Sequence, residues 1–197
     1  MLIRLILIFL ISLSIISCSK NQEISYENSE RKDPYKIYKE GLKAFEERDY
    51  FFASKKFDEA ELNFENPELA AKSSLMSSYA LYGINFYSEA ENNLKRYLDY
   101  YRADKNIIYA HYLLAIIYYE QIQDEKKDIN PLLKAQKKIN FFLDEYPNSD
   151  YATDLKFKKD LIQNQLAAKE LFVAKFYIST KKWVPAINRL KIIVKDY

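Results

Sequence analysis

Few residues of this chain have side chains that could do chemistry in the usual catalytic or metal-binding patterns. The 197 residues include one His (His111), one Cys (Cys18) and two Gly (Gly41 and Gly83). One His and one Cys leave no His/Cys zinc quartet, no disulfide and no HExxH helix. Two isolated glycines cannot build a phosphate-binding loop or a dinucleotide fingerprint. A Ser-His-Asp triad would need His111, and no serine has the glycine-rich surroundings of a nucleophile elbow. We therefore predict no catalytic residues, no metal site, no cofactor and no enzymatic activity.

The charge balance argues against one further class of protein. The chain has 30 Lys+Arg against 28 Asp+Glu. A nucleic-acid-binding protein needs a basic surface, which should appear as an excess of positive charge in these totals. We therefore predict no nucleic-acid partner and expect a helix-rich binding or scaffolding protein.

The first 17 residues are typical of a secretory signal peptide. They read MLIRLILIFLISLSIIS, with Arg4 as the only charged residue. Their apolar run is shorter than the ~20 residues of a membrane-spanning helix, so cleavage fits better than a permanent anchor. Residues 15–18 (Ile-Ile-Ser-Cys) resemble a bacterial lipobox, which implies that Cys18 becomes the mature N-terminus with a diacylglyceryl and an N-acyl group. The alternative is a cysteine that follows an ordinary signal peptide by chance.

The residues after Cys18 bear on where the chain would be anchored and how. Ser19 follows the cysteine, in place of the aspartate that retains lipoproteins in the inner membrane. The lipobox resemblance therefore implies sorting to the outer membrane of a Gram-negative cell, facing the periplasm. Acyl chains that contribute ~0.8 kcal/mol per buried CH₂ would make this lipid anchor stable. We assign residues 18–33 to the lipidated cysteine and a flexible tether, because the polar stretch cannot bury enough surface to offset its ordering entropy.

From Pro34 onward the sequence carries a repeated helical pattern. Apolar residues recur three and four positions apart, which indicates helices. A small residue, a bulky apolar residue four positions later and another core residue three positions after that occur together four times. The four instances are Ala53/Phe57/Ala60, Ala90/Leu94/Tyr97, Ala135/Ile139/Phe142 and Ala186/Leu190/Ile193. The pattern resembles the tetratricopeptide repeat, and an ordinary helical bundle is the alternative. We predict an all-α solenoid of about four helical hairpins, at residues 34–66, 67–103, 104–147 and 148–197.

The repeats also predict a peptide-binding groove. In a stacked array of hairpins the first helices line the concave face. Ile37, Gly41 and Ala44 should lie in the core, and residues one step further along each first helix are rotated about 100° toward the concave face. Tyrosines there would offer apolar faces and hydroxyl groups to an extended peptide. The groove candidates are Tyr38, Tyr79, Tyr82 and Tyr112. Composition is the competing explanation, because 18 Tyr and 12 Phe match the bias of an AT-rich genome.

Two C-terminal segments carry a more specific resemblance. Residues 146–154 read YPNSDYATD and precede a long amphipathic segment, and residues 183–189 read WVPAINR. With the lipobox and the repeats, they resemble the BamD family, the lipoprotein subunits of the outer-membrane β-barrel assembly machinery. Locally, we expect Ser149 or Asp150 to cap the helix that follows Pro147. We also expect Trp183 to wedge between the last two helices, with Leu190 and Ile193 in the core.

The resemblance implies an outer-membrane lipoprotein scaffold in the assembly and insertion of β-barrel proteins. Its implied partners are BamA, other subunits of the machinery and unfolded barrel precursors, whose aromatic C-terminal signal the groove would engage. Arg189 matches an arginine at the contact with the periplasmic POTRA domains of BamA. BamD proteins have five repeats and this sequence stops after the fourth, either as a fragment or as a shorter protein. The alternative function is another periplasmic tetratricopeptide-repeat lipoprotein adaptor, associated with peptidoglycan enzymes or with the Tol–Pal system.

Overall fold

The computed structural model describes residues 33–122 and 129–197, which form eight α-helices and no β-strand. The helices are α1 (Pro34–Glu46), α2 (Tyr50–Asn63), α3 (Pro67–Gly83), α4 (Tyr87–Tyr100), α5 (Ile107–Glu120), α6 (Asn130–Glu145), α7 (Ala152–Ser179) and α8 (Trp183–Asp196). Each helix packs against the next one in the chain. The predicted all-α fold of four helix pairs is confirmed. The predicted signal peptide, Cys18 and residues 18–32 of the predicted tether lie outside the described residues.

In this described part, no helix combines the length and the apolar character needed to cross a membrane.

Side-chain caps and prolines fix where the first helices begin. Asp33, Asp49 and Asn66 stand immediately before α1, α2 and α3, and their side-chain oxygens accept hydrogen bonds from backbone N–H groups of the first turn at 2.9–3.1 Å. Pro34 and Pro67 occupy the first helical positions, where the missing N–H group leaves no hydrogen bond unmade. These local signals set the lengths of the hairpin turns before any tertiary contact forms.

The predicted cap of the long helix is wrong. The N-cap of α7 is Tyr151, which makes no side-chain capping hydrogen bond. The hydroxyl of Ser149 is buried and has no hydrogen-bond partner. Because α7 begins at Ala152, Ser149 and Asp150 lie one or two residues too early to reach the free N–H groups of its first turn.

The repeated core pattern is confirmed in the first three hairpins and fails in the fourth. All nine side chains of the first three instances are fully buried. In the fourth, Ala186 is buried, Ile193 is only partly buried and Leu190 is 37% exposed. The predicted core role of Leu190 is therefore wrong. The physical reason is that the first helix of the next hairpin covers this face of α2, α4 and α6, whereas no described helix covers it on α8.

Small residues set how closely the two helices of a hairpin approach. Gly41 in α1 lies against the ring of Phe57 in α2, and a Cβ atom on Gly41 would lie 2.9 Å from two carbons of that ring. Ile37, Gly41 and Ala44 are the buried residues of α1, as predicted. In the last hairpin the corresponding positions are taken by Ala174 and Ala186, and both are buried.

The expected position of Trp183 between the last two helices is wrong. Trp183 is the first residue of α8, and its side chain is exposed. Ala186, three residues later, is the buried residue of this helix, so the tryptophan lies nearly one turn away from the buried contact with α7.

An ion pair between a buried carboxylate and a partly exposed arginine joins the first hairpin to the second, which the sequence did not predict. Arg96 of α4 donates two hydrogen bonds to Glu61 of α2, Nη1 to Oε1 and Nη2 to Oε2, each at 2.6 Å. The hydroxyl of Tyr101 donates to the same carboxylate at 2.9 Å. The Glu61 side chain is only 5% exposed. A paired and fully hydrogen-bonded carboxylate of this kind fixes the register between α2 and α4.

Candidate binding site

Six aromatic side chains form a continuous row across the first helices of the first three hairpins and the turn that precedes α7. We call this set the aromatic row. Its members are Phe45 on α1, Tyr79 and Tyr82 on α3, Tyr109 and Tyr112 on α5, and Tyr151 just before α7.

The ring distances show that the row is unbroken. The ring of Tyr79 stacks on Phe45 with the centroids 5.7 Å apart and lies 6.5 Å from Tyr109. Tyr109 lies 5.7 Å from Tyr151 and 6.2 Å from Tyr112. Tyr112 and Tyr151 stack at 4.5 Å. These separations are those of attractive aromatic pairs, so the rings hold one another in place.

Helical spacing explains how two helices contribute pairs of rings. Tyr79 and Tyr82 are three residues apart on α3, with their centroids 6.3 Å apart. Tyr109 and Tyr112 have the same spacing on α5. Residues three apart lie on the same face of an α-helix, so each helix presents two rings to the row.

The row is accessible, and three of its phenols have a raised pKa. Tyr79 is 39% exposed, and Tyr82 and Tyr112 are half-buried. Burial raises the pKa of Tyr82 and of Tyr109. Burial, together with the hydrogen bond to Asp154, raises the pKa of Tyr112 to about 12. All three phenols therefore keep their protons at physiological pH and can act as hydrogen-bond donors.

A polar group lies at the α7 end of the row. The Tyr112 hydroxyl donates to Oδ2 of Asp154 at 3.1 Å, and Lys158 donates to Oδ1 of the same carboxylate at 2.7 Å. The aromatic row thus ends beside a carboxylate that is already held by two donors.

The structure brings three of the four predicted groove residues together. Tyr79, Tyr82 and Tyr112 belong to the row, with Tyr109 between α3 and α5. Tyr38 lies in a separate aromatic cluster, 5.3 Å from Phe57 and 6.3 Å from Phe64 by ring centroids, with Nζ of Lys72 5.5 Å from its ring.

Sequence reasoning missed Tyr109 and Tyr151. Tyr109 is three residues before the predicted Tyr112, so the i, i+3 relation on one helix was a signal that could have found it. Tyr151 lies in the turn before α7, where helical periodicity gives no signal.

Arg189, the predicted partner-contact residue, is half-exposed and paired within the chain. Its Nη1 atom lies 3.0 Å from Oε2 and 3.3 Å from Oε1 of Glu170 on α7. The exposed fractions of the two side chains are 40% for Arg189 and 18% for Glu170. The predicted position of Arg189 on an exposed face of α8 agrees with this geometry. Its pairing with Glu170 was not predicted from the sequence.

Comparison with known proteins identifies the family. The family model described as "Outer membrane lipoprotein" (YfiO) matches residues 30–197. The chain belongs to this family. An outer membrane protein assembly factor BamD from Caulobacter vibrioides is 32% identical over 161 residues, which are 82% of this chain and 53% of that relative. A BamD from Rickettsia prowazekii is 29% identical over 161 residues, 82% of this chain and 64% of that relative. The chain thus spans between about half and two thirds of the length of these relatives.

Membership of the outer membrane lipoprotein family has two consequences for the predictions. The resemblance to BamD is confirmed, and so is the predicted association with the outer membrane. The matched residues also include every member of the aromatic row, Arg189 and Glu170. The roles of these individual residues stay predictions.

Proposed function

We propose that this chain is a scaffold lipoprotein that assists the assembly of β-barrel proteins into the outer membrane, by binding and not by catalysis. It faces the periplasm and is held at the membrane by acyl groups on Cys18. The aromatic row, which crosses three helices and the turn before α7 with partly exposed rings, is the observation that carries this proposal. The names of the relatives from Caulobacter vibrioides and Rickettsia prowazekii, outer membrane protein assembly factors, support it.

In this proposal the row binds unfolded barrel precursors. An extended peptide packs its aromatic side chains against the exposed faces of Tyr79 and Tyr82, and the neutral hydroxyl groups donate hydrogen bonds to its backbone carbonyls. The row suits a partner without fixed structure, because its rings are already positioned by one another and lose little freedom on binding. The aromatic C-terminal segment of a barrel precursor has the matching chemistry.

The last hairpin provides the second contact in this proposal. It binds the periplasmic POTRA domains of BamA through Arg189, and other subunits of the assembly machinery bind nearby. The same helix also exposes apolar side chains, among them Ile187, Leu190 and Val194. Arginine and exposed apolar side chains are both common at the centres of protein interfaces.

Replacing Tyr79 and Tyr82 together by Ala is expected to weaken precursor binding by about tenfold or more, the loss typical of aromatic residues at the centre of an interface. The measurement is a fluorescence titration of the chain, purified in detergent, into a labelled C-terminal peptide of an outer-membrane barrel protein. Circular dichroism should show unchanged helical content.

Tyr100→Ala is the matched control for this experiment. Tyr100 is a highly exposed tyrosine at the end of α4 and is not a member of the aromatic row. Its replacement should leave the affinity unchanged. Unchanged affinity of the Tyr79/Tyr82 variant would contradict peptide binding by the row, and an equal loss in Tyr100→Ala would show that binding depends on surface tyrosines in general.

A further inference from the structure

The Arg189–Glu170 pair has an asymmetric hydrogen-bond geometry. Both contacts to the carboxylate use the same nitrogen, Nη1, at 3.0 and 3.3 Å. A guanidinium and a carboxylate that pair through two nitrogens would use up one whole edge of the arginine fork. Here Glu170 holds one end of the guanidinium, and within the described residues Nε and Nη2 have no hydrogen-bond partner. The edge formed by these two nitrogens can therefore receive a second carboxylate.

The position of Glu170 makes it the fixed member of the pair. Ala174 of α7 and Ala186 of α8 are both buried in a pair of helices that pack against each other. Glu170 lies one turn before Ala174 on α7, and Arg189 lies one turn after Ala186 on α8. Because the two helices are antiparallel, these positions face each other. Glu170 is 18% exposed and Arg189 40% exposed, so the carboxylate is anchored near the helix contact and the guanidinium extends outward from it.

We propose that Glu170 is a positioning residue for the partner contact at Arg189. It holds Nη1 so that the Nε–Nη2 edge faces outward, ready to pair with a carboxylate on the partner. A free arginine side chain samples many rotamers, and fixing it beforehand removes part of the ordering cost of association. This inference rests on the proposed function, in which Arg189 contacts the POTRA domains of BamA. If Glu170 instead competed with the partner for Arg189, removing Glu170 would make partner binding tighter.

The test compares four proteins in binding to the POTRA domains of BamA from the same organism, measured by titration with the chain purified in detergent. Glu170→Ala should weaken binding about three- to tenfold, as expected for one lost charge-assisted contact. Arg189→Ala should weaken it at least as much. The double variant should bind no more weakly than Arg189→Ala alone, because Glu170 acts only through Arg189. A residue that acts only by stabilising the fold would instead give additive losses.

Two further variants separate the positioning role from general effects. Glu170→Gln keeps the side-chain size and an oxygen that accepts from Nη1. Its affinity for the POTRA domains should therefore lie between that of the wild type and that of Glu170→Ala. Asp160→Asn removes a negative charge from an exposed position on the same helix and should leave binding unchanged.

Some results would contradict the positioning role of Glu170, and others would contradict the partner contact at Arg189. Tighter binding by Glu170→Ala would show that Glu170 competes for Arg189, and unchanged binding or additive losses would also overturn the positioning role. In those cases a loss in Arg189→Ala would leave the proposed partner contact standing. If Arg189→Ala binds as tightly as the wild type, the proposed contact itself fails, and the inference fails with it.

Discussion

Replacing Leu94 by Ala is expected to lower the free energy of unfolding by about 2–5 kcal/mol. Leu94 is the central residue of the second repeat instance and is fully buried between its own hairpin and α5. Truncation removes its transfer free energy and leaves a cavity that helices on both sides can fill only in part. The measurement is urea denaturation followed by far-UV circular dichroism, with the midpoint and slope compared with those of the wild type.

Leu190→Ala is the control, since it removes the same atoms from the same repeat position. Leu190 is 37% exposed, so its truncation should lower the free energy of unfolding by about 1 kcal/mol or less. Equal losses at the two positions would contradict the difference in burial between the second and fourth hairpins.

Arg96→Ala is expected to destabilise the chain by about 1–3 kcal/mol, the loss found when a buried acceptor is left without its main hydrogen-bond donor; Glu61 is 5% exposed, whereas Arg96 is 38% exposed and partly screened by solvent. The carboxylate of Glu61, 5% exposed, would stay buried with Tyr101 as its remaining donor. The same denaturation experiment measures the loss. Because the pair joins the first two hairpins, the variant should also unfold less cooperatively, as expected when one interface in a repeat array is weakened.

Lys105→Ala provides the comparison for an exposed ion pair. Lys105 lies 2.7 Å from Glu68, and the two side chains are 73% and 63% exposed. Solvent screening limits the contribution of such a pair, so the expected loss is at most about 1 kcal/mol. If Arg96→Ala were no more destabilising than Lys105→Ala, the carboxylate of Glu61 would not depend on Arg96 as its hydrogen-bond donor.

The first three hairpins could be predicted from the sequence because each repeat instance is a local pattern. The spacing of Ala90, Leu94 and Tyr97 places them on one face of a helix, and the following hairpin then buries that face. The fourth instance has the same spacing, yet Leu190 is exposed. Burial depends on what packs over a residue, and that information is not contained in the spacing.

The aromatic row could be predicted in part for the same reason. A rule that takes the residue one step beyond each core position finds Tyr79, Tyr82 and Tyr112. It also selects Tyr38, but the structure places that ring against Phe57 and Phe64 of the same hairpin instead. The rule does not select Tyr151, because this residue lies outside the helices.

The pairs between distant residues could not be predicted from spacing at all. Glu61 and Arg96 are 35 residues apart, and Glu170 and Arg189 are 19 apart. Their contacts depend on the register between two packed helices, which in turn depends on where small residues such as Ala174 and Ala186 bring the backbones together. A single sequence gives the charges but does not give this register.

The most direct test of the central claim is binding between this chain and the POTRA domains of BamA from the same organism. We expect the purified chain to bind in a pull-down and in titration, and we expect Arg189→Ala to reduce the affinity about tenfold, the equivalent of one lost charge-assisted contact. Absence of binding by a chain with intact helical content would contradict the proposed role in barrel assembly. It would favour the alternative, a periplasmic tetratricopeptide-repeat adaptor with other partners.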